Sequence, residues 1–455
     1  MPHVPIERHR LDNGLRVILS PDERAPVVAV NLWYDVGSKH EQPGKTGFAH
    51  LFEHMMFQGS EHVAKGEHFA LVQGAGGTLN ATTWLDRTNY FETMPSHELE
   101  LALWLESDRM ASLLPAMTQE KLDNQRDVVK NERRLRVDNQ PYGSWDEKIQ
   151  GLVYPEGHPY HHPTIGSMAD LSAASLDDVR EFFATWYAPN NAVLTIAGGF
   201  DPAEAMEMVA RHFGSIPRNE QLPGRPDTRV APVIGREVRE TVHDRVPLPR
   251  IYVAYRVPPF GSEGFDAMEL SSDLLAGGRA SRLYRSLIRE RRLAQDVVAF
   301  AFPLIGDATM FTLWATARPG VAVGELEEAL FGEIDRLRAD GPSEDELQRA
   351  RTLHRAAIES SLERVSERAD RLSMYGCLFD EPERVNDEVA RYQRVDAEAA
   401  RSALAEWLVP ENRVVLTYLP AESAVEPPGG PAADDTASDT ESDTDAATDS
   451  QEVTA

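Results

Sequence analysis

The sequence predicts an α+β chain of two homologous domains, each a largely antiparallel sheet with helices on one face. A segment W-x-x-P-x-N-x-V occurs twice, from Trp186 to Val193 and from Trp407 to Val414, at an offset of 221 residues. Each copy follows a helix-like stretch and leads into a strand-like run, Val193 to Ala197 and Val414 to Tyr418. The second observation is a pair of period-2 strands. Val28, Val30, Leu32 and Tyr34 alternate with Ala29, Asn31, Trp33 and Asp35, while Ile251, Val253, Tyr255 and Val257 alternate with Tyr252, Ala254 and Arg256. The third is length, since 455 residues exceed the usual limit of a single core.

The elements follow in matching order. After each strand and a turn comes a helix-like segment, Phe48 to Phe57 and Phe265 to Leu275, stopped by Gln58-Gly59 and by Ala276-Gly277-Gly278. Each half then continues into a hairpin, Thr78 to Thr93 and Val297 to Ala317. Residues 1–216 form the first predicted domain and 248–420 the second. Residues 217–247, with Pro223, Pro226 and Pro232, are predicted as linker and entry to the second domain. Residues 421–455 hold ten acidic residues and no Lys or Arg, in a Pro, Gly, Ser, Thr and Asp background that predicts a disordered acidic tail.

Composition narrows the function classes. The net charge is −28, of which −18 remains on the chain without the tail. Such a body argues against nucleic acid, whose phosphates need clustered Lys and Arg. No apolar run approaches a membrane span or a signal-peptide core. The single cysteine, Cys377, permits no internal disulfide. A soluble cytoplasmic protein is the expectation.

The chemistry is concentrated in His50-Leu51-Phe52-Glu53-His54. Residues four apart on a helix lie one turn above each other, so His50 and His54 can reach one ion together. Glu53 projects beside them as a candidate base for a water at an open coordination position. Leu51, Phe52, Met55, Met56 and Phe57 predict that this helix is mostly buried, where imidazoles and a carboxylate need partners. A third protein ligand is expected. In the helix-like segment Lys121 to Val137, Glu132 shares a face with Val128 and Val129, whereas Asp123 and Asp127 do not. The corresponding positions of the second half are Glu269, Ser272 and Asp273, without an imidazole, so only the first domain should hold metal.

His50-Leu51-Phe52-Glu53-His54, followed by Asn80-Ala81-Thr82 and Val128-Val129-Lys130-Asn131-Glu132, resembles the inverzincin zinc peptidases of the pitrilysin and mitochondrial processing peptidase type, as a bacterial-type two-domain member. Gly277-Gly278-Arg279-Ala280-Ser281-Arg282-Leu283 is similar to that family's C-terminal repeat. The resemblance runs from about Leu11 to Pro420. It implies one zinc ion per chain on His50, His54 and Glu132, with Glu53 as general base of an endopeptidase acting on short or unfolded polypeptides. It implies a chain that forms half of a clam-shell, often in dimers, around a peptide chamber. Asn80, Ala81 and Thr82 resemble the edge strand that receives substrate as an added β-strand. Arg289 matches the arginine of a substrate-gripping arginine and tyrosine pair.

Two positions depart from the pattern. Gln125 stands where many relatives carry a second glutamate, and Asp296 where the tyrosine would be; aspartate cannot replace a phenol donor at neutral pH. The expectation is a heterodimer with a metal-free homologue that carries the arginine and tyrosine. The alternative function is a non-catalytic or partner-dependent scaffold subunit of the same fold. Three further motifs are read as structural: the loop His158-Pro159-Tyr160-His161-His162-Pro163 near the mouth of the site, the turn glycines Gly74, Gly76 and Gly77, and a capping box of Ser343 with Glu346 opening a long helix toward Met374.

Overall fold

The computed structural model describes residues 3–421, so the tail prediction lies, from residue 422 onward, outside the described residues. The first half runs β1 (Glu7–Arg10), β2 (Arg16–Pro21), β3 (Val27–Tyr34), α1 (Phe48–Met55), α2 (Glu67–Gly74), β4 (Thr78–Thr83), β5 (Thr88–Pro95), α3 (Leu99–Ala116), α4 (Gln119–Arg133), α5 (Trp145–Val153), α6 (Met168–Ala173), α7 (Leu176–Trp186), β6 (Ala192–Gly198) and α8 (Pro202–Phe213). The second runs β7 (Val238–Asp244), β8 (Arg250–Val257), α9 (Glu263–Ala276), β9 (Ala294–Ala301), β10 (Thr309–Ala317), α10 (Val323–Asp340), α11 (Glu344–Glu363), α12 (Val365–Phe379), α13 (Arg384–Arg394), α14 (Ala397–Trp407) and β11 (Arg413–Pro420).

The first sheet has the order β1-β2-β6-β3-β5-β4 and the second β7-β11-β8-β10-β9. Apart from β1, the two orders are the same topology written twice. Only the β2–β6 and β7–β11 pairs are parallel. The repeated W-x-x-P-x-N-x-V has one structural cause in both halves. Asn191 Nδ2 donates to Trp186 O at 2.8 Å and to Asp35 O at 3.3 Å, while Asn412 Nδ2 donates to Trp407 O at 2.8 Å and to Arg256 O at 2.7 Å. Each asparagine ties the end of a helix to the neighbouring strand, and the proline starts the short turn between them.

Two boundaries differ from the sequence reading. Val238–Asp244, inside the predicted linker, is a strand paired along its length with β11. Its alternating half-buried and exposed residues lack the apolar signal that marks a central strand. The predicted long helix from Ser343 opens with the expected capping box but breaks at Arg364, whose backbone is extended, giving α11 and α12.

Each sheet carries helices of its own half on one face and a helix of the other half on the opposite face. Val28, Val30, Leu32 and Tyr34 pack into a core with α1, α3, α7 and α8. Their alternates turn the other way, where Trp33, Val193 and Ile18 meet Leu372, Tyr375 and Cys377, and Ala29 and Ala197 meet Ala369, all four of these partners on α12. In the second sheet Ile251, Val253 and Tyr255 join α9, α10 and α14. Tyr252, Ala254 and Leu416 face Ile149 and Val153 of α5. A fully buried side chain of this size contributes about 1.5–3 kcal/mol. Leu372 and Tyr375 of α12, or Ile149 and Val153 of α5, thus contribute about 3–6 kcal/mol on each side, a large share of the net stability of a whole domain, so each half depends on its borrowed helix.

No helix among the described residues is long and apolar enough to cross a membrane. The exchange of α5 and α12 predicts one cooperative unfolding transition: fluorescence and far-ultraviolet circular dichroism should give coincident urea curves, and two separated transitions would show that the halves fold independently.

Candidate metal centre

Helix α1 is only eight residues long, and its apolar positions Phe48, Leu51, Phe52 and Met55 are buried. Phe52 stacks on Phe182 with ring centroids 5.1 Å apart and lies 5.1 Å from the Tyr187 ring. This packing leaves His50, Glu53 and His54 half-buried on the other face. Helix α4 lies against it, started by Thr118, whose hydroxyl accepts from Lys121 N at 3.3 Å. Its inward stripe is Leu122, Gln125 and Val129, with Glu132 one turn further on. Val128, assigned to this face from sequence, is instead 39% exposed, because its helical phase lies a full residue away from the stripe. Past Arg133 the chain tightens no further as α-helix but continues as a π-helical turn, Arg134–Asp138.

His50, His54 and Glu132 offer ligand atoms within 4.8 Å of one another. Glu132 Oε2 lies 3.5 Å from His50 Nε2 and 3.2 Å from His54 Nε2. Two ligands of a tetrahedral zinc ion with bonds of 2.0–2.2 Å stand about 3.4 Å apart, so the spacing fits that ion. The other Glu132 oxygen is paired with Arg136 at 3.0 Å, one turn along. Burial holds the His50 imidazole below its usual pKa, hence neutral at pH 7 with a lone pair to offer. At Glu132 burial pushes upward, but the His54 hydrogen bond, with the Arg136 charge as a smaller contribution, outweighs it and holds the carboxyl below its usual range. Glu53 stands beside His50, and among the described residues it has no ion-pair partner.

One residue that the sequence did not mark fastens this helix. The first turn of α1 begins at Gly47, which has φ 87° and no side chain to cap the exposed amides. Glu41 does it instead, accepting from Gly47 N and Ala49 N at 2.8 Å each. His162 Nε2 lies 2.9 Å from the same carboxylate. Behind it Gly47 and Gly166 meet backbone to backbone, with a Cβ on Gly166 falling 2.3 Å from Gly47 Cα. The histidine-rich loop is thus part of the helix mounting: His158 and His161 bond the carbonyls of Thr228 and Tyr154, and the three imidazoles do not converge. A bare glycine at the start of a helix was the available signal for an upstream carboxylate.

Asn80, Ala81 and Thr82 lie on β4, the outermost strand of the first sheet. Thr83 Oγ1 reaches Ala49 O of α1 at 3.5 Å, which sets this edge beside the metal helix. The tight turn from Trp84 to Arg87 is closed by Trp84 N to Arg87 O at 2.8 Å. Alternation along an antiparallel ladder then points the backbone of Leu79, Ala81 and Thr83 outward. Ala81 N accordingly bonds no strand but the Asn80 side chain, at 2.9 Å. Arg289 is exposed in a π-helical segment of the second half, Tyr284–Glu290, and the largest charges acting on His50 come from the first half. Asp296 accepts from Thr316 Oγ1 at 3.0 Å and lies 3.9 Å from Arg250.

The matched models are the "Insulinase (Peptidase family M16)" model over residues 16–149 and the "Peptidase M16 inactive domain" model over 173–353. The zinc protease PqqE of Helicobacter pylori is 30% identical over 367 residues, covering 80% of this chain and 82% of that protein. The chain belongs to peptidase family M16. A crystal structure of a protease from Helicobacter pylori superposes with a TM-score of 0.86 at 27% identity, over 92% of this chain and all of that one. The periplasmic protease PqqL of Escherichia coli shares the fold at a TM-score of 0.72 and 19% identity, with 93% of this chain matching 48% of that one.

In the second M16 domain the positions equated with His50, Glu53 and His54 hold two half-buried acids, Glu269 and Asp273, and the buried Ser272. Glu269 accepts from the Tyr392 hydroxyl, and Ser272 Oγ bonds Glu269 O at 2.6 Å. Asp273 lies 3.9 Å from His354, and burial pushes its carboxyl up to about 6. A second grouping in the first domain, one imidazole and two acids, His68, Glu92 and Glu106, is closed by Arg109, whose Nε donates to Glu106 at 3.0 Å. The guanidinium already supplies the cation there.

Asp273 gives a pH-dependent prediction. The folded protein holds this proton more tightly than the unfolded chain, so the ionised form costs nothing below pH 4 and its full amount above pH 6. Asp273→Asn should leave stability unchanged at pH 4 and raise it by about 3 kcal/mol at pH 8. Urea midpoints at the two pH values check this, and equal gains at both would contradict it.

Proposed function

We propose that this M16 chain is a zinc-dependent endopeptidase for short or unfolded polypeptides. His50, His54 and Glu132 hold one zinc ion per chain and Glu53 is the general base. The observation that carries the reading is the convergence of the three ligand atoms beside an unpaired carboxylate. A bound zinc ion supplies Lewis acidity, which acidifies water and polarises a carbonyl. Glu53 takes the proton of the attacking water and returns one to the leaving amine. Arg136 orients Glu132 through its second oxygen, and the neutral His50 stays available for the ion. The outward backbone of Leu79, Ala81 and Thr83 receives the substrate as an added strand, with Asn80 and Thr82 flanking it. Main-chain pairing of this kind binds extended peptides with little selectivity for sequence.

Asp296 favours a partner. In this reading the chain supplies the metal half of a dimer, and a metal-free homologue supplies the arginine and tyrosine that Arg289 and Asp296 do not complete. Light scattering and peptidase assays on the chain purified alone test it; full activity as a monomer would remove the need for that homologue.

Glu53→Gln should retain one zinc per chain and lose roughly a hundredfold or more of turnover on a fluorogenic peptide. His50→Ala should lose the metal as well. Metal analysis beside the assay checks both, and a zinc-loaded Glu53→Gln protein with wild-type rates would sink the assignment.

A further inference from the structure

We propose that Asp370, on the metal-free half, is a positioning residue for the substrate-binding edge of the metal half. The proposal rests on the edge-strand reading given above. Asp370 lies on α12, under the outer face of the first sheet, and a single carboxylate oxygen collects three donors from that sheet. Asn31 Nδ2 reaches Oδ1 at 3.1 Å, Trp33 Nε1 at 2.9 Å and Asn89 Nδ2 at 3.0 Å. Asn31 and Trp33 belong to β3, and Asn89 to β5.

Asn89 then passes the constraint outward. Its Oδ1 accepts from Thr82 Oγ1 on β4 at 2.5 Å and from Arg87 at 3.2 Å. Arg87 donates also to Thr82 O at 2.9 Å and lies over the Trp33 ring, 5.0 Å from its centroid. A continuous path therefore runs from Asp370 through Asn89 to Thr82, which faces inward while its neighbours Ala81 and Thr83 present their backbone to substrate. The amide group of Asn89 cannot turn without losing both its carboxylate acceptor and its hydroxyl donor.

The tip of the same hairpin is held from the second half as well. Asp86 is only 1% exposed, although it sits at a hairpin turn, where a carboxylate is normally solvated. It accepts from Lys39 Nζ at 2.7 Å, from Tyr160 OH at 2.6 Å and from Ile305 N at 3.0 Å. Ile305 lies in the loop joining β9 and β10, and Trp84 stacks on Phe302 of β10's preceding loop at 5.7 Å. An edge strand has a neighbour on one side only and would otherwise be free to twist. Held at Thr82 and at the adjoining turn, β4 keeps one distance from α1, and a displacement of about 1 Å at such a site can cost about a hundredfold in rate.

A purely structural role for Asp370 would lower stability without selecting among substrates. The test uses the full zinc-loaded chain, with a ten-residue peptide that can lie along β4 and a tripeptide-sized substrate that cannot. Asp370→Ala should keep its zinc, cleave the small substrate at the wild-type rate and lose at least about tenfold in kcat/KM on the long one. In a Glu53→Gln background, Asp370→Ala should weaken binding of the fluorescent ten-residue peptide by a similar factor. Asp370→Asn, which retains an oxygen acceptor for all three donors, should restore both. If Asp370→Ala fails to fold, Asn89→Ala cuts the same path and should show the same split. Ala81→Pro removes an outward amide: if it leaves long-peptide binding intact, the edge-strand reading itself fails. If Ala81→Pro abolishes binding while Asp370→Ala and Asn89→Ala do not weaken it, the positioning role is overturned alone.

Discussion

A helix of eight residues has almost no stability of its own, yet α1 must keep two imidazoles and a carboxylate in a fixed relation to a glutamate on another helix. Everything around it is arranged to impose that position from outside. Glu41 and His162 fix its start, and the Gly47 to Gly166 contact brings the loop of residues 163–167 against its first turn. Below it Tyr187, Phe182 and Phe183 form an aromatic bed, and Tyr90 joins that bed from β5 through a hydroxyl pair at 3.1 Å. Arg109 lies 4.3 Å from the Tyr90 ring, so the buried group of His68, Glu92 and Glu106 also braces the bed under α1. Burial pushes both acids up to about 7 and His68 down to about 3, which favours a compact neutral arrangement around the guanidinium.

The same dependence on outside support extends to the whole first sheet. A sheet with both faces apolar needs two layers of cover, and the first half spends one of its helices, α5, on the other sheet. It receives α12 in return. This exchange explains why the alternates within β3 itself, Ala29, Asn31 and Trp33, carry no charge. Two of those three bind Asp370, so the layer that covers the sheet also grips it.

How legible this was depended on distance along the chain. The pairing of His50 with His54 is a matter of one helical turn, and the doubled sheet topology was announced by two asparagines that each tie a helix end to a strand. Glu132 was selected partly through Val128, which proved exposed; the side chains that do share its stripe, Leu122, Gln125 and Val129, include a polar one that an apolar pattern passes over. The strand at Val238–Asp244 hid for a similar reason, being half-exposed at a sheet edge. Helices α5 and α12 were invisible as exchanged elements. An amphipathic sequence shows which face is apolar, and nothing in its period says which sheet that face will meet.

The second half makes sense in these terms. Its helix α9 has 14 residues where α1 has eight, and its acids sit in the positions of the ligands without a cation between them. Glu269 is satisfied by Tyr392, but Asp273 has no close partner and is held near pH 6 by burial alone. A carboxylate buried in this way costs stability once it ionises. The contacts that this half does make with precision lead elsewhere, from Asp370 to β5 and from the Ile305 amide to the tip of the β4–β5 hairpin. The repeat without imidazole ligands has the strand order of its twin, and through these contacts it serves as cover and anchor for the metal half.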